Sequence, residues 1–286
     1  MTAPPSRPPA PRPPPRRSLV RRVATIVTVL LFGIGVGVAT ALIIAKRLKT
    51  GTWQLPTRQD VAAARQQVVE AVAPPPPPPV SRIIFLDRRP RTLTAGVDDA
   101  AAGSSSVINH QGPAPRTVPG WKGTDKNWRA MVACVQRLFE PFDVEVTDQP
   151  PASREHVLVV VGGKPKDIGV ADAKVAGLAP FSGGLIPRAV VFAFAATQSH
   201  RAQGVCETIG MEVAHAYGLD HAYLCSDVMS YLTPCGKRTF VDKAVACGEK
   251  KKRPCAGGKA TQNSHQQLLG VLGPRRPAPT PPATGR

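Results

Sequence analysis

Aromatic and acidic residues are both scarce in this chain. Phe, Trp and Tyr make up 5% of the 286 residues, which argues against one uniform core over the whole length. Asp and Glu total 19 against 37 Lys and Arg, for a formal net charge of +18. Basic residues are not interleaved with aromatic ones, as is typical of nucleic-acid-binding faces, so we expect no nucleic-acid partner. The 32 prolines are clustered, and we expect a modest folded domain with basic, proline-rich appendages.

Residues 23–45 contain no charged side chain. A helix of this length spans about 34 Å, enough to cross a hydrocarbon core about 30 Å thick. The run is longer than the roughly 7–15 apolar residues of a secretory signal peptide. Residues 1–22 carry Arg and no acidic residue, which predicts a cytoplasmic, proline-rich tail. We therefore predict a single-pass membrane protein whose C-terminal part lies in the periplasm or outside the cell.

The remaining chain divides by composition. Residues 46–80 resemble a stalk, because the unbroken prolines at 74–79 favour a stiff polyproline II spacer. Residues 81–273 form the predicted folded domain, and residues 274–286 a disordered Pro/Arg-rich tail. Apolar periodicity in the domain predicts helices at 127–139 and 203–217 and strands at 82–86, 142–146, 156–161 and 189–195. Loops are expected at 104–123, and residues 222–260 are expected to be irregular.

All six cysteines follow the apolar span, and no two of them form a C-x-x-C motif. An even number on one side of a membrane is typical of disulfides in an oxidising compartment. Disulfides that staple the irregular segment after residue 221 are therefore expected. Six cysteines allow 15 pairings, and the sequence leaves the choice among them open.

The most informative pattern places Glu212, His215, Gly218 and His221 in E-x-x-H-x-x-G-x-x-H. On a helix Glu212 and His215 lie close to one face, and Gly218 lets the chain turn so that His221 can return to the same point. A glutamate beside two histidines is suited to accept a proton from a metal-activated water. Met229 follows eight residues after the second histidine.

This pattern, with Met229 and Tyr231 in D-V-M-S-Y, resembles the metzincin clan of zinc metallopeptidases, in a matrixin-like, bacterial exported form. The resemblance implies an α+β fold with a mixed sheet, an active-site helix and a Met-turn at Met229. It implies zinc as cofactor, peptide-bond hydrolysis with Glu212 as general base, and Tyr231 as donor to the oxyanion. It also implies that an extended peptide adds as a strand, with Gly162-Gly163 and 189–195 near the cleft.

One residue departs from the pattern, because Met211 stands where the clan has its first histidine. His215 and His221 then supply two ligands, and a neutral thioether suits Cu(I) better than Zn²⁺. The third ligand is left open among Met211 itself, Glu212, Tyr231 and the other histidines at 110, 156, 200 and 265. Three hypotheses follow: an attenuated zinc peptidase, an inactive module that binds a peptide or cell-envelope partner, or a copper site of Met211, His215 and His221. The sequence predicts no oligomeric state.

Overall fold

The computed structural model describes residue 59, residues 79–111 and residues 115–276. The predicted tail at 1–22, the apolar span at 23–45 and nearly all of the stalk at 46–80 lie outside these residues, as does 277–286. Among the helices in the described ranges, none is long and apolar enough to cross a membrane.

The described residues form an α+β domain, which confirms the predicted class at this level. Its strands, in chain order, are β1 (Ile83–Asp87), β2 (Arg91–Ala95), β3 (Ser104–Ser105), β4 (Arg116–Val118), β5 (Glu145–Thr147), β6 (Val157–Val161), β7 (Gly177–Leu178) and β8 (Val190–Ala193). Its α-helices are α1 (Asp125–Phe139), α2 (Ala202–Ala216) and α3 (Ser264–Leu272).

The main sheet has five strands in the order β5-β1-β6-β8-β7. The first four strands are parallel, and β7 pairs antiparallel with β8 at one edge. The central strand β6 is buried along its whole length, as expected for a parallel strand covered on both faces. A smaller sheet has the order β3-β2-β4.

Alternate residues of the main sheet face two different apolar clusters. Val157, Val159 and Val161 of β6 pack into the cluster that contains the buried faces of α1 and α2. Leu158 and Val160 face the other cluster, which includes residues from the small sheet. The main sheet is thus a central layer, and α2 is held against it on the helical side.

Helix α1 begins at an N-cap, where the Thr124 side chain accepts a hydrogen bond from the Asn127 N–H. A disulfide between Cys134 and Cys206 joins α1 to α2. The other two disulfides, Cys225–Cys235 and Cys247–Cys255, close loops after α2. The expectation of disulfides is confirmed, and two of the three lie in the irregular segment.

The two predicted helices and the strands at 82–86, 156–161 and 189–195 are confirmed, with ends that differ by at most two residues. The strand predicted at 142–146 begins later, at Glu145. Helix α3, strand β7 and the small sheet were not predicted, and part of that sheet occupies the expected loop at 104–123. The predicted tail begins as an ordered segment, because the Arg275 N–H donates to the carbonyl of Pro141.

Candidate metal centre

Helix α2 carries Glu212 and His215 near its C-terminal end. The helix ends at Ala216, and Gly218 in the turn that follows has a φ of +90° and donates its N–H to the His215 carbonyl at 2.9 Å. A Cβ at this position would lie 3.0 Å from the backbone of Gly184. Both the turn and the close approach therefore need glycine, and the turn brings His221 back toward the helix.

The two histidines meet at their Nε2 atoms. These nitrogens are 2.9 Å apart, and the ring planes are inclined at 78°. His215 is nearly buried, and His221 is partly exposed. Two imidazoles separated by six residues thus present the same atom to one point in space.

Both Nδ1 atoms already have hydrogen-bond acceptors. The His215 Nδ1–H donates to the Leu219 carbonyl at 2.7 Å, and the His221 Nδ1–H donates to Glu249 Oε1 at 2.6 Å. Because neither acceptor can donate, both rings keep a proton on Nδ1 and turn Nε2 toward each other. At 2.9 Å the two Nε2 atoms can share a cation between them, either a proton or a metal ion.

The histidine pair fits a metal ion in donor type and in spacing. Burial, and then the neighbouring His221, lowers the pKa of His215 to about 4, so this ring is neutral at pH 7. Zinc–nitrogen bonds are about 2.0–2.1 Å, and tetrahedral geometry separates two such nitrogens by about 3.3 Å. The observed 2.9 Å needs only a small opening of the pair.

A cleft of about 330 Å³ opens on the histidines. Its lining includes Glu212, Tyr231 and both residues of β7. Phe181, an exposed aromatic residue, stands at one side with its ring 5.2 Å from that of His215. The cleft therefore joins a histidine pair, a carboxyl group and the edge of the main sheet.

Glu212 lines this cleft and is buried. Burial raises the pKa of its carboxyl group to about 8. The approach of β7 depends on Gly177, because a Cβ there would lie 2.6 Å from Glu212 Cγ and 2.5 Å from Thr208 Cγ2. The ligand atoms of Glu212 and of the two histidines do not all lie within 4.8 Å of one another. This arrangement favours Glu212 as a base rather than as a direct metal ligand.

Among the described residues, Asp220, His221 and Glu249 do form such a set. The Arg253 guanidinium, however, already contacts both carboxylates: Nη1 and Nη2 donate to Asp220 at 2.6 and 2.8 Å, and Nη2 donates to Glu249 at 2.7 Å. Its hydrogen bond, and then that of His221, lowers the pKa of Glu249 to about 2. A metal ion among these three residues would have to displace the arginine.

The predicted Met-turn residue, Met229, is fully buried. Its N–H donates to Asp227 Oδ1 at 2.9 Å, and Asp227 Oδ2 accepts from the Ser264 hydroxyl at 2.5 Å. Tyr231 follows, with its ring 4.4 Å from that of His221. Burial, and then the charges of Glu212 and Glu249, raises the pKa of Tyr231.

Met211 lies in the apolar cluster beside α2 and is 9% exposed. It is not among the residues that line the cleft. Three other candidate ligands lie elsewhere, because the rings of His156, His200 and His265 contact Phe85, Trp121 and Phe142 respectively. His110 lies where no side chain is described.

Gly162 and Gly163 do not lie at the cleft. They pack against residues 118–120, where a Cβ on Gly162 would lie 2.3 Å from the Pro119 carbonyl oxygen. The sequence pattern did not indicate Glu249 or Arg253. The one member of this charged network that lies close to His221 in the sequence is Asp220, which directly precedes it.

Comparisons with protein-family models, with curated proteins and with solved structures find no match to this chain.

Proposed function

We propose that this chain is a membrane-anchored, extracytoplasmic metallopeptidase of metzincin-like fold, attenuated by the replacement of one zinc ligand by Met211. The observation that carries the proposal is the 2.9 Å distance between the Nε2 atoms of His215 and His221, whose rings both donate a hydrogen bond from Nδ1. The apolar stretch at 23–45 would be the membrane anchor. Three disulfides are compatible with an oxidising compartment outside the cytoplasm.

The fold supports a peptide as substrate. Strand β7 is the antiparallel edge of the main sheet and also lines the cleft. An extended peptide can pair with such an edge through its backbone, which would lay a peptide bond across the histidine pair. Phe181, which is exposed beside His215, would then contact a side chain next to the scissile bond.

A zinc ion held by His215 and His221 would supply Lewis-acid chemistry to a water molecule and to the peptide carbonyl. Positive charge between the imidazoles favours the ionised form of Glu212, whose pKa burial otherwise holds near 8. Glu212 would take the proton of the attacking water and pass it to the leaving amine. Tyr231 would donate to the oxyanion.

Attenuation follows from the ligand count. Catalytic zinc sites have three protein ligands and one open position, whereas the two histidines leave two positions to solvent. Met211 packs in the apolar cluster and is not among the residues that line the cleft, which disfavours the copper hypothesis. With only two histidine ligands, zinc binding would be weaker than at a complete site.

The second candidate is a peptide-binding module without catalysis. It is favoured by the same burial of Met211, since packing against apolar neighbours is a sufficient reason for methionine at that position. Under this alternative the cleft and the edge of β7 still bind an extended peptide, but no bond is broken.

Zinc content and proteolysis of the full chain, purified in detergent, separate the candidates. The proposal expects about one bound zinc per chain and slow cleavage of an unfolded protein, lost in Glu212→Ala and retained in Glu140→Ala, which alters an exposed glutamate. Absence of both zinc and cleavage would favour the binding module. Preferential binding of Cu(I) would favour the copper site.

A further inference from the structure

We infer that Glu249 and Arg253, carried by the loop closed by Cys247–Cys255, are positioning residues that fix the ring of His221. The inference rests on the proposed metal site and explains how His221, the ligand outside helix α2, is held in place. His215 is fixed by α2, whereas His221 lies in the irregular segment beyond the helix. Something other than helix geometry must therefore orient the second imidazole.

The loop is attached to the backbone around His221. Ala222 and Cys247 form an antiparallel bridge, and the Gly248 N–H donates to the His221 carbonyl at 2.9 Å. A Cβ on Gly248 would lie 1.9 Å from the Lys251 carbonyl oxygen, so this tight turn requires glycine. The disulfide joins the two ends of the loop, and the Arg253 N–H donates to the Cys247 carbonyl at 2.7 Å.

Arg253 connects the two carboxylates that hold His221. Asp220 Oδ1 accepts the His221 backbone N–H at 2.7 Å, and Glu249 Oε1 accepts its Nδ1–H at 2.6 Å. The guanidinium bonds to both oxygens of the nearly buried Asp220 and to Glu249. Backbone and ring of His221 are thus fixed by one ion-paired network.

The network determines which nitrogen faces His215. With its Nδ1–H donated to Glu249, His221 directs Nε2 to the shared point, where it can bind a cation. Without that acceptor the ring can rotate and exchange tautomers, so the lone pair would face His215 only part of the time. Loss of such a hydrogen-bond partner typically weakens metal affinity by about 10–100-fold.

The test measures the zinc affinity of the full chain by competition with a chelator. Glu249→Ala should weaken binding by about 10–100-fold, and Glu249→Gln, which keeps an acceptor oxygen, should weaken it less. The matched control is Glu155→Ala, because Glu155 is similarly exposed and also pairs with an arginine. Affinity should be unchanged in the control, and thermal unfolding verifies that each variant is folded.

A second readout separates this inference from the proposed function. Imidazole ¹⁵N shifts without metal, read at a pH where the ring is neutral, should show His221 mainly as the Nδ1–H tautomer in the wild type and as a mixture in Glu249→Ala. This result supports the positioning role even if no zinc binds and the proposed function fails. An unchanged tautomer would overturn the inference. So would binding that Glu249→Ala abolishes and His215→Ala leaves intact, since zinc would then lie among Asp220, His221 and Glu249.

Discussion

Replacing Glu212 by glutamine should stabilise the metal-free protein at alkaline pH. The unfolded chain loses this proton near pH 4.5, and burial in the fold raises the pKa to about 8. The folded state therefore binds more protons between these two values, and stability falls as pH rises through that window. At about 1.36 kcal/mol per pH unit, the full difference is about 5 kcal/mol above pH 8. Glutamine has no charge to bury, so the variant escapes this loss.

The assay is denaturant unfolding of the wild type and of Glu212→Gln with chelator present, at pH 5 and at pH 9. At pH 5 the two proteins should agree within about 1 kcal/mol, because this pH lies only about half a unit above the value at which the unfolded chain loses the proton. At pH 9 the variant should be more stable by about 5 kcal/mol. Glu140→Gln, at an exposed site, should follow the wild type. If the free energy of unfolding of Glu212→Gln and of the wild type had the same pH dependence, Glu212 would not be a buried carboxyl group with a raised pKa.

Two further substitutions test the walls of the site. Gly177→Ala should cost about 1–3 kcal/mol and slow cleavage, because the new Cβ would lie 2.6 Å from Glu212 Cγ. Gly270→Ala in α3, where a Cβ meets nothing within 4 Å, is its control, and equal effects in unfolding and proteolysis assays would contradict the close packing of β7 on α2. Met211→His should raise zinc affinity and cleavage, because position 211 lies four residues before His215 on the same helical face and an imidazole there can turn toward the cleft, although the methionine packs in the apolar cluster. Without metal, the variant should lose about 1–3 kcal/mol of stability, because a polar ring replaces methionine in an apolar cluster. Unchanged affinity in a zinc titration would mean that residue 211 does not reach the cleft.

The sequence predicts elements whose pattern is long and local. Helix α1 repeats its buried residues with helical spacing, and β6 is an uninterrupted apolar run. The short elements carry no such pattern: β7 has two residues, and β2 buries only Leu93. Their structure depends on pairing with distant segments, which periodicity cannot show.

The residues of the site likewise divide into those that a local pattern predicts and those that it does not. Glu212, His215 and His221 fall within one helix and the turn that follows, so their spacing alone predicts that they lie close together. Glu249 reaches His221 from 28 residues further along the chain, through an irregular loop held by a disulfide. Neither its distance in sequence nor the run of lysines beside it indicates that contact.

Anomalous diffraction at the zinc edge, from crystals of the zinc-loaded protein, tests the central claim most directly. The account predicts one peak about 2.0–2.1 Å from the Nε2 atoms of both His215 and His221. A peak among Asp220, His221 and Glu249, or imidazoles that still face each other without an ion at saturating zinc, would contradict it.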